Sequence, residues 1–197
     1  MPLFRVGIRL SVAIAALHCC AHADGAVIVT NSESVWTFRC NSDALWVATE
    51  NFERFEGSFP YLSGSLAGTA WTVVSASGVS TSSGRVTSPL SQSLIINFAS
   101  PVNGVAGQWG AFDSDGNAHP VIVTAITVDG SRYEGLVIGT GFAGFFSRSP
   151  EIVGIELFAG WGEQHTPLID SLQVAIPTPS VAALLALGGF ASRRRRG

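Results

Sequence analysis

The 197-residue chain lacks lysine entirely, and all 11 of its basic side chains are arginines. It also has no uninterrupted apolar run of the roughly 20 residues that a comfortable membrane-spanning helix needs. All 14 acidic residues but only five arginines lie between residues 24 and 175, so this segment carries a net charge of about −9. Such a charge argues against nucleic acid as a partner, because phosphate binding needs clustered cations. It is compatible with divalent cations or neutral glycans.

Cysteine is scarce as well, with three in the chain. Cys19 and Cys20 fall in a segment that reads as a signal peptide, which leaves Cys40 without an intramolecular disulfide partner. A lone exported cysteine can be a nucleophile, an intermolecular bridge or a small buried side chain. The last is the commonest role of a free cysteine.

The N-terminal segment, residues 1–23, has the three parts of a secretory signal peptide. Arg5 and Arg9 give the positive region, and residues 10–17 give the apolar core. The predicted cleavage site consists of Ala21, Ala23 and Asp24. The expected partners are the Sec translocon and signal peptidase.

The C-terminal segment, residues 176–197, has a proline motif, a short apolar stretch and a basic end. The motif comprises Pro177, Thr178, Pro179 and Ser180, and the basic end comprises Arg193, Arg194, Arg195 and Arg196. The apolar residues 181–192 would form a helix of about 18 Å, against a hydrocarbon core of about 30 Å. The arginines should stay on the cytoplasmic side. The segment is therefore too short to be a comfortable permanent membrane anchor.

This three-part tail resembles the bacterial PEP-CTERM sorting tail. The resemblance implies an exported protein that a membrane-embedded exosortase cuts near the proline motif. The implied location is the cell surface or the extracellular matrix, in association with exopolysaccharide. Thr178 stands where the class name implies glutamate, which bears on the identity of the sorting enzyme.

Residues 24–175 are predicted to form one domain, an antiparallel β-sandwich of the jelly-roll kind, because short apolar runs alternate with turn signals. A short helix is expected from Ser32 towards Leu45, with Val35, Phe38 and Leu45 sharing a face. A hairpin is expected at Asp129-Gly130. The nine predicted strands are 46–52, 68–74, 93–98, 105–112, 120–128, 132–138, 142–146, 152–158 and 168–174. The Ser/Thr/Gly-rich stretch 75–91 is expected to link two of them.

This body resembles β-sandwich domains often found ahead of the same sorting tail. The likeness rests on a tryptophan-bearing helix, the acidic-aromatic segment 50–57, the Trp109-Gly110-Ala111-Phe112 strand, the segment 141–146 and Asp170. Some such domains resemble carbohydrate-binding jelly rolls. In those an early and a late acidic residue can share a structural calcium, and the matching positions here would be Glu53 or Glu56 together with Asp170. The alternative for Asp170 is hydrogen bonding to backbone amides at a strand edge.

No catalytic set is predicted. The domain has only His119 and His165, each expected in a solvated loop, and it lacks a Gly-x-Ser-x-Gly elbow. Acidic residues are scattered, so no carboxylate pair for glycoside hydrolysis stands out. The turn from Asp113 to Asn117 offers oxygen ligands but lacks the spacing of a calcium loop, so a plain turn is favoured.

Glycan binding needs aromatic rings that stack on sugars. The candidates are Trp71, Trp109, Trp161 and, beside them, Tyr61; core packing is the alternative for each. The leading interpretation is an exported, non-enzymatic surface or matrix protein. A lectin-like module with structural calcium is the alternative, and a secreted hydrolase is the third.

Overall fold

The structure is a computed structural model that describes residues 26–89, 93–160 and 165–178. The described residues form one helix, α1 (Glu33–Ser42), and 13 strands. The first seven strands are β1 (Ile28–Thr30), β2 (Leu45–Glu50), β3 (Gly57–Leu66), β4 (Thr69–Ser82), β5 (Arg85–Thr87), β6 (Ser93–Val102) and β7 (Gly104–Phe112). The others are β8 (Ala118–His119), β9 (Val121–Thr127), β10 (Arg132–Val137), β11 (Thr140–Phe146), β12 (Ile152–Phe158) and β13 (Thr166–Pro177).

The strands form two antiparallel layers. The first layer has the order β1-β11-β7-β13, with β2 paired to β13 and β8 paired to β7. The second layer has the order β3-β4-β6-β12-β9-β10. The short β5 pairs with β13 on one side and β4 on the other, so it joins the layers at one edge. The predicted antiparallel sandwich is confirmed.

The main core lies between the layers, because alternate side chains of each strand point inwards. Both layers contribute large buried residues to it, among them Trp71, Ile96, Leu157, Trp109, Phe145 and Ile169. Burial of this much apolar area is the main stabilising contribution to the fold.

Helix α1 covers the outer face of the first layer. The Ser32 side chain accepts a hydrogen bond from the Val35 amide and so caps the helix N-terminus. Trp36 and Cys40, one turn apart, are fully buried against Ala106, Phe146 and Ala175. The lone Cys40 is therefore a small buried side chain, and its burial raises the pKa of the thiol to about 12.

The predicted helix is confirmed, but it ends at Ser42, and the residues predicted to share a face do not form the face that packs on the sheet. Val35 and Phe38 are exposed, and Phe38 retains 67% of its accessible surface. The helix instead packs through a narrow stripe centred on Trp36, whose indole N–H donates to the Phe145 carbonyl oxygen. A Cβ on Gly144 would lie 2.5 Å from Cδ1 of Trp36, so this glycine makes room for the ring.

All nine predicted strands are present, and Asp129-Gly130 lies in the turn between β9 and β10 as predicted. The predicted linker 75–91 is wrong, because β4 runs on to Ser82 and β5 follows. Strand β13 extends into the first two residues of the predicted tail segment. Ile176 and Pro177 belong to β13, where they pair with Trp46 and Leu45.

Candidate functional site

The second layer has an outer face that no described helix covers. We call this the open face, and it consists of the outward residues Tyr61, Thr72, Val74, Ile95, Asn97, Ile122, Thr124, Ile126, Arg132, Glu134, Leu136, Glu156 and Phe158. Along each strand these residues alternate with core residues, which places them on one side of the sheet. Six strands spaced at about 4.8 Å make the face about 24 Å wide.

The register aligns one row of side chains straight across the open face. From the β3 edge inwards, Tyr61 pairs with Val74, Val74 with Ile95, and Ile95 with Glu156. Thr124 follows between Glu156 and Glu134. The row therefore begins with an aromatic ring, passes over aliphatic side chains and ends at hydrogen-bonding groups.

Tyr61 is the most exposed aromatic residue of the open face, with 56% of its surface accessible. It lies on β3, which pairs only with β4 among the described strands, so its ring stands at the rim of the sheet. An exposed ring at the edge of a partly apolar surface is suited to stacking on a flat ligand.

The polar end of the row is held by an ion pair. The Arg132 guanidinium on β10 donates to the Glu156 carboxylate on β12, across the intervening β9. Thr124 lies on β9 next to Glu156 and Glu134 and is almost fully buried. The pair fixes both charged groups in position, and together with Glu134 it leaves this end of the face acidic.

Two of the three candidate glycan-stacking tryptophans are not available. Trp71 and Trp109 retain 1% and 0% of their surface, so the prediction that they stack on sugars is wrong for this structure. Trp71 packs edge-on against Phe52 at a ring distance of 5.6 Å, and the Trp109 indole donates to the Ala143 carbonyl oxygen at 2.8 Å. Trp161 lies outside the described residues.

The three candidate calcium ligands do not form a metal centre in the described part of the chain. No group of three or more His, Cys, Asp or Glu side chains that could hold a metal ion occurs there. Glu53 and Glu56 are exposed on the segment between β2 and β3. Asp170 lies 3.6 Å from Nε of Arg85, which gives it a cationic partner from β5.

The Asp113 turn is a plain turn closed by its own hydrogen bonds. One carboxylate oxygen accepts from the amides of Asp115 and Asn117, and the other accepts from the Asn117 side chain and from His119. The hydrogen bonds from His119 and Asn117 hold the Asp113 pKa well below its usual range. These donors occupy the oxygens that calcium would need.

His119 and His165, each predicted in a solvated loop, lie against each other at one end of the sandwich. His119 lies in β8 and His165 directly precedes β13, and both strands flank the end of β7. Their rings stack with centroids 3.9 Å apart. Nδ1 of His165 lies 3.0 Å from the Ala159 carbonyl oxygen and must therefore carry a proton. Each histidine thus has a packing partner, which sequence spacing alone does not reveal.

Pro177 and Thr178 are the members of the predicted sorting motif that the structure describes. Pro179, Ser180 and the arginines 193–196 lie outside the described residues, as do Ala21, Ala23 and Asp24 of the predicted signal-cleavage site. Within the described ranges, no helix is both long and apolar enough to cross a membrane.

No family model and no curated protein sequence matches the chain. Solved structures with a similar fold include a family 29 carbohydrate-binding module, with a TM-score of 0.45 and 10% identity over 68% of this chain and 90% of that one. A family 29 module in complex with mannohexaose gives the same score and identity over 93% of its length. These likenesses are too distant to carry a functional argument, and the assignment as a sandwich rests on the strand pairing.

Proposed function

We propose that the protein is an exported, non-enzymatic surface or matrix protein that binds extracellular polysaccharide through the open face. The observation that carries this proposal is the row from Tyr61 to Glu134, an aromatic rim followed by aliphatic and then hydrogen-bonding side chains. Sugars present apolar faces and hydroxyl edges, so they need these two kinds of contact.

The width and charge of the open face favour a particular class of glycan. A row about 24 Å across suits a chain of several sugar units rather than one small molecule. Glu134 and Glu156 lie on the face with a single arginine, Arg132. Because like charges repel, a neutral polysaccharide is preferred over an acidic one.

The predicted signal peptide and the predicted sorting tail support the other half of the proposal, which is export to the cell surface. The signal-peptide pattern of residues 1–23 supports export, and the tail pattern of residues 176–197 supports retention at the membrane followed by exosortase-type cleavage. Secretion would bring the open face into contact with extracellular polymer.

The binding claim is tested by a matched pair of substitutions, Tyr61→Ala and Phe38→Ala. Both remove an exposed aromatic ring, one from the open face and one from α1. Binding to neutral glycans on an array, and to the polysaccharide of the producing cell, should weaken roughly two- to tenfold for Tyr61→Ala. It should be unchanged for Phe38→Ala. Equal effects of the two changes would reject the open face as the site.

The calcium-dependent alternative is tested in the same assay by adding a chelator. We expect glycan binding to persist, because Asp170 is engaged by Arg85 and the Asp113 oxygens accept hydrogen bonds from protein donors. Loss of binding with chelator, and its recovery with added calcium, would favour the lectin-like module with structural calcium.

Export and sorting are tested by the intact mass of the protein recovered outside its native cell. The expected product begins near Asp24 and ends close to the proline motif. A product that retains Arg193 to Gly197 would show that the tail is not cut.

A further inference from the structure

The last strand of the sandwich runs directly into the proposed sorting motif. Ile176 and Pro177 pair with Trp46 and Leu45 of β2, and the Thr178 hydroxyl donates to the Ala44 carbonyl oxygen. The chain is therefore held by the folded domain up to Thr178, with no free linker before that point.

The length of chain beyond Thr178 limits how far the domain can stand from a membrane. Only three residue steps separate Thr178 from Val181, where the apolar stretch begins. A fully extended chain covers at most about 3.6 Å per residue, so this spacer reaches about 11 Å. The headgroup region on one side of a bilayer is of the order of 5–8 Å thick. If the tail is held in the bilayer, as the proposed function requires, the end of β13 must lie at the membrane surface.

The residues around this exit point form one connected surface. We call it the exit end, and it comprises Trp46, Asn103, Val128, Arg148 and residues 176–178. Asn103 links its parts, because its amide donates to the Ala175 carbonyl oxygen and its side chain donates to the carbonyl oxygens of Ser147 and Arg148. The amide of Val128 donates to Glu151 in the neighbouring loop. The exit end is thus a braced part of the fold and not a loose terminus.

The side chains of the exit end suit a bilayer surface. Trp46 is half exposed at 49%, although it sits beside the partly buried Ile176. Val128 is 59% exposed, and Arg148 is exposed nearby. Tryptophan is enriched at the membrane interface, where its ring meets acyl chains and headgroups together, and arginine can bind lipid phosphate.

We propose that the exit end docks on the lipid bilayer while the tail is held there, with the Trp46 ring in the headgroup region. This inference rests on the proposed function for its membrane-held tail. It implies that β13 stands with its C-terminal end towards the lipid. The stacked His119 and His165, at the opposite end of β13 and β7, then point away from the membrane.

The test uses the chain with its C-terminal tail intact, reconstituted in vesicles of phosphatidylethanolamine and phosphatidylglycerol. Part of the lipid carries bromine near the headgroup end of the acyl chains and quenches nearby tryptophan fluorescence. The Trp46 contribution is the difference between the native chain and Trp46→Phe. The matched control adds Ile138→Trp to the Trp46→Phe chain, because Ile138 is 79% exposed in the turn between β10 and β11, away from the exit end.

We expect brominated lipid to quench the Trp46 emission, to leave the emission from position 138 unchanged, and to lose its effect when residues 179–197 are removed. Resistance of the chain to extraction at alkaline pH reports separately on tail insertion. An inserted tail with unquenched Trp46 would overturn the docking and would indicate that the domain stands off the lipid surface. A tail that is readily extracted would overturn the membrane-held tail and, with it, the docking.

Discussion

The two outer faces of the sandwich carry similar backbone but opposite arrangements of side chains. On the first layer, small residues such as Ala106 and Ala175 let α1 approach, and Trp36 fills the space between helix and sheet. On the second layer the outward residues are larger, including Ile95, Ile122 and Tyr61, and remain partly accessible. The covered face thus combines small residues with large buried ones such as Phe146, whereas the large outward side chains of the open face stay partly accessible.

The largest expected difference between the two faces is in their contribution to the free energy of unfolding. The substitution Trp36→Ala measures this contribution for the covered face. Removing this buried ring leaves a cavity under α1 and removes the hydrogen bond from the indole to the Phe145 carbonyl oxygen. We expect a loss of about 3–5 kcal/mol in the free energy of unfolding, measured by chemical denaturation. Tyr61→Ala on the open face should change it by less than about 0.5 kcal/mol. Similar losses for both changes would mean that the open face is also structural.

A second change sharpens the comparison by filling space under the helix. Gly144→Ala would place a Cβ within 2.5 Å of Cδ1 of Trp36. Overpacking of this kind costs about 1–3 kcal/mol. Gly141→Ala in the same strand is the control, because its Cβ would meet the Val137 side chain at an ordinary 3.4 Å. We expect the melting temperature of Gly144→Ala to be lower than that of Gly141→Ala. Equal melting temperatures would show that the helix moves aside without loss of stability.

The sandwich itself could be predicted from the sequence because most of its strands show short apolar runs bounded by turn residues. The sequence did not predict β3, the second half of β4 or β5, and each lacks that pattern for a physical reason. β3 contains Pro60 and several small polar residues, which an edge strand tolerates because its outer side donates no ladder hydrogen bonds. The polar second half of β4 and the three-residue β5 join the two layers, where pairing and not apolar patterning defines the strand.

The candidate site was harder to predict because a tryptophan can either stack on a sugar or pack in the core. In the structure, Trp71 and Trp109 pack closely against glycines. A Cβ on Gly64 would lie 2.5 Å from Cζ2 of Trp71, and one on Gly107 would lie 2.7 Å from Cζ2 of Trp109. The open face could not be predicted from the sequence. Its row of side chains lies on six strands, and only the structure shows which strands are neighbours.

A smaller effect is expected from the ion pair on the open face. Glu156→Gln removes the charge that meets Arg132, and a solvent-accessible pair of this kind is worth about 0–1 kcal/mol. A double-mutant cycle with Arg132→Gln, followed by chemical denaturation, gives the coupling energy. A coupling above that range would mean that the pair braces β9, β10 and β12. The same variants should alter glycan binding if the polar end of the row contacts sugar.

The smallest expected effect is on the free energy of unfolding at acidic pH. It comes from Asp113, at the end of the sandwich opposite the tail. Because the pKa of Asp113 is depressed in the folded state, its contribution to stability is complete above the unfolded value of about 4 and is lost as pH falls through the folded value. Asp113→Asn should therefore flatten the fall in unfolding free energy below pH 4. Asp115→Asn, in the same turn, is the control. Parallel pH profiles for native chain and Asp113→Asn would contradict this assignment.

The most direct test of the central claim is to map the polysaccharide onto the two faces by NMR chemical-shift perturbation of the isotopically labelled chain. We expect shifts to concentrate on backbone amides around Tyr61, Asn97 and Thr124 of the open face, while amides of α1 around Phe38 stay unchanged. Shifts that concentrate on α1, or that appear on neither face under conditions where binding is measured, would contradict the assignment of the open face as the ligand surface.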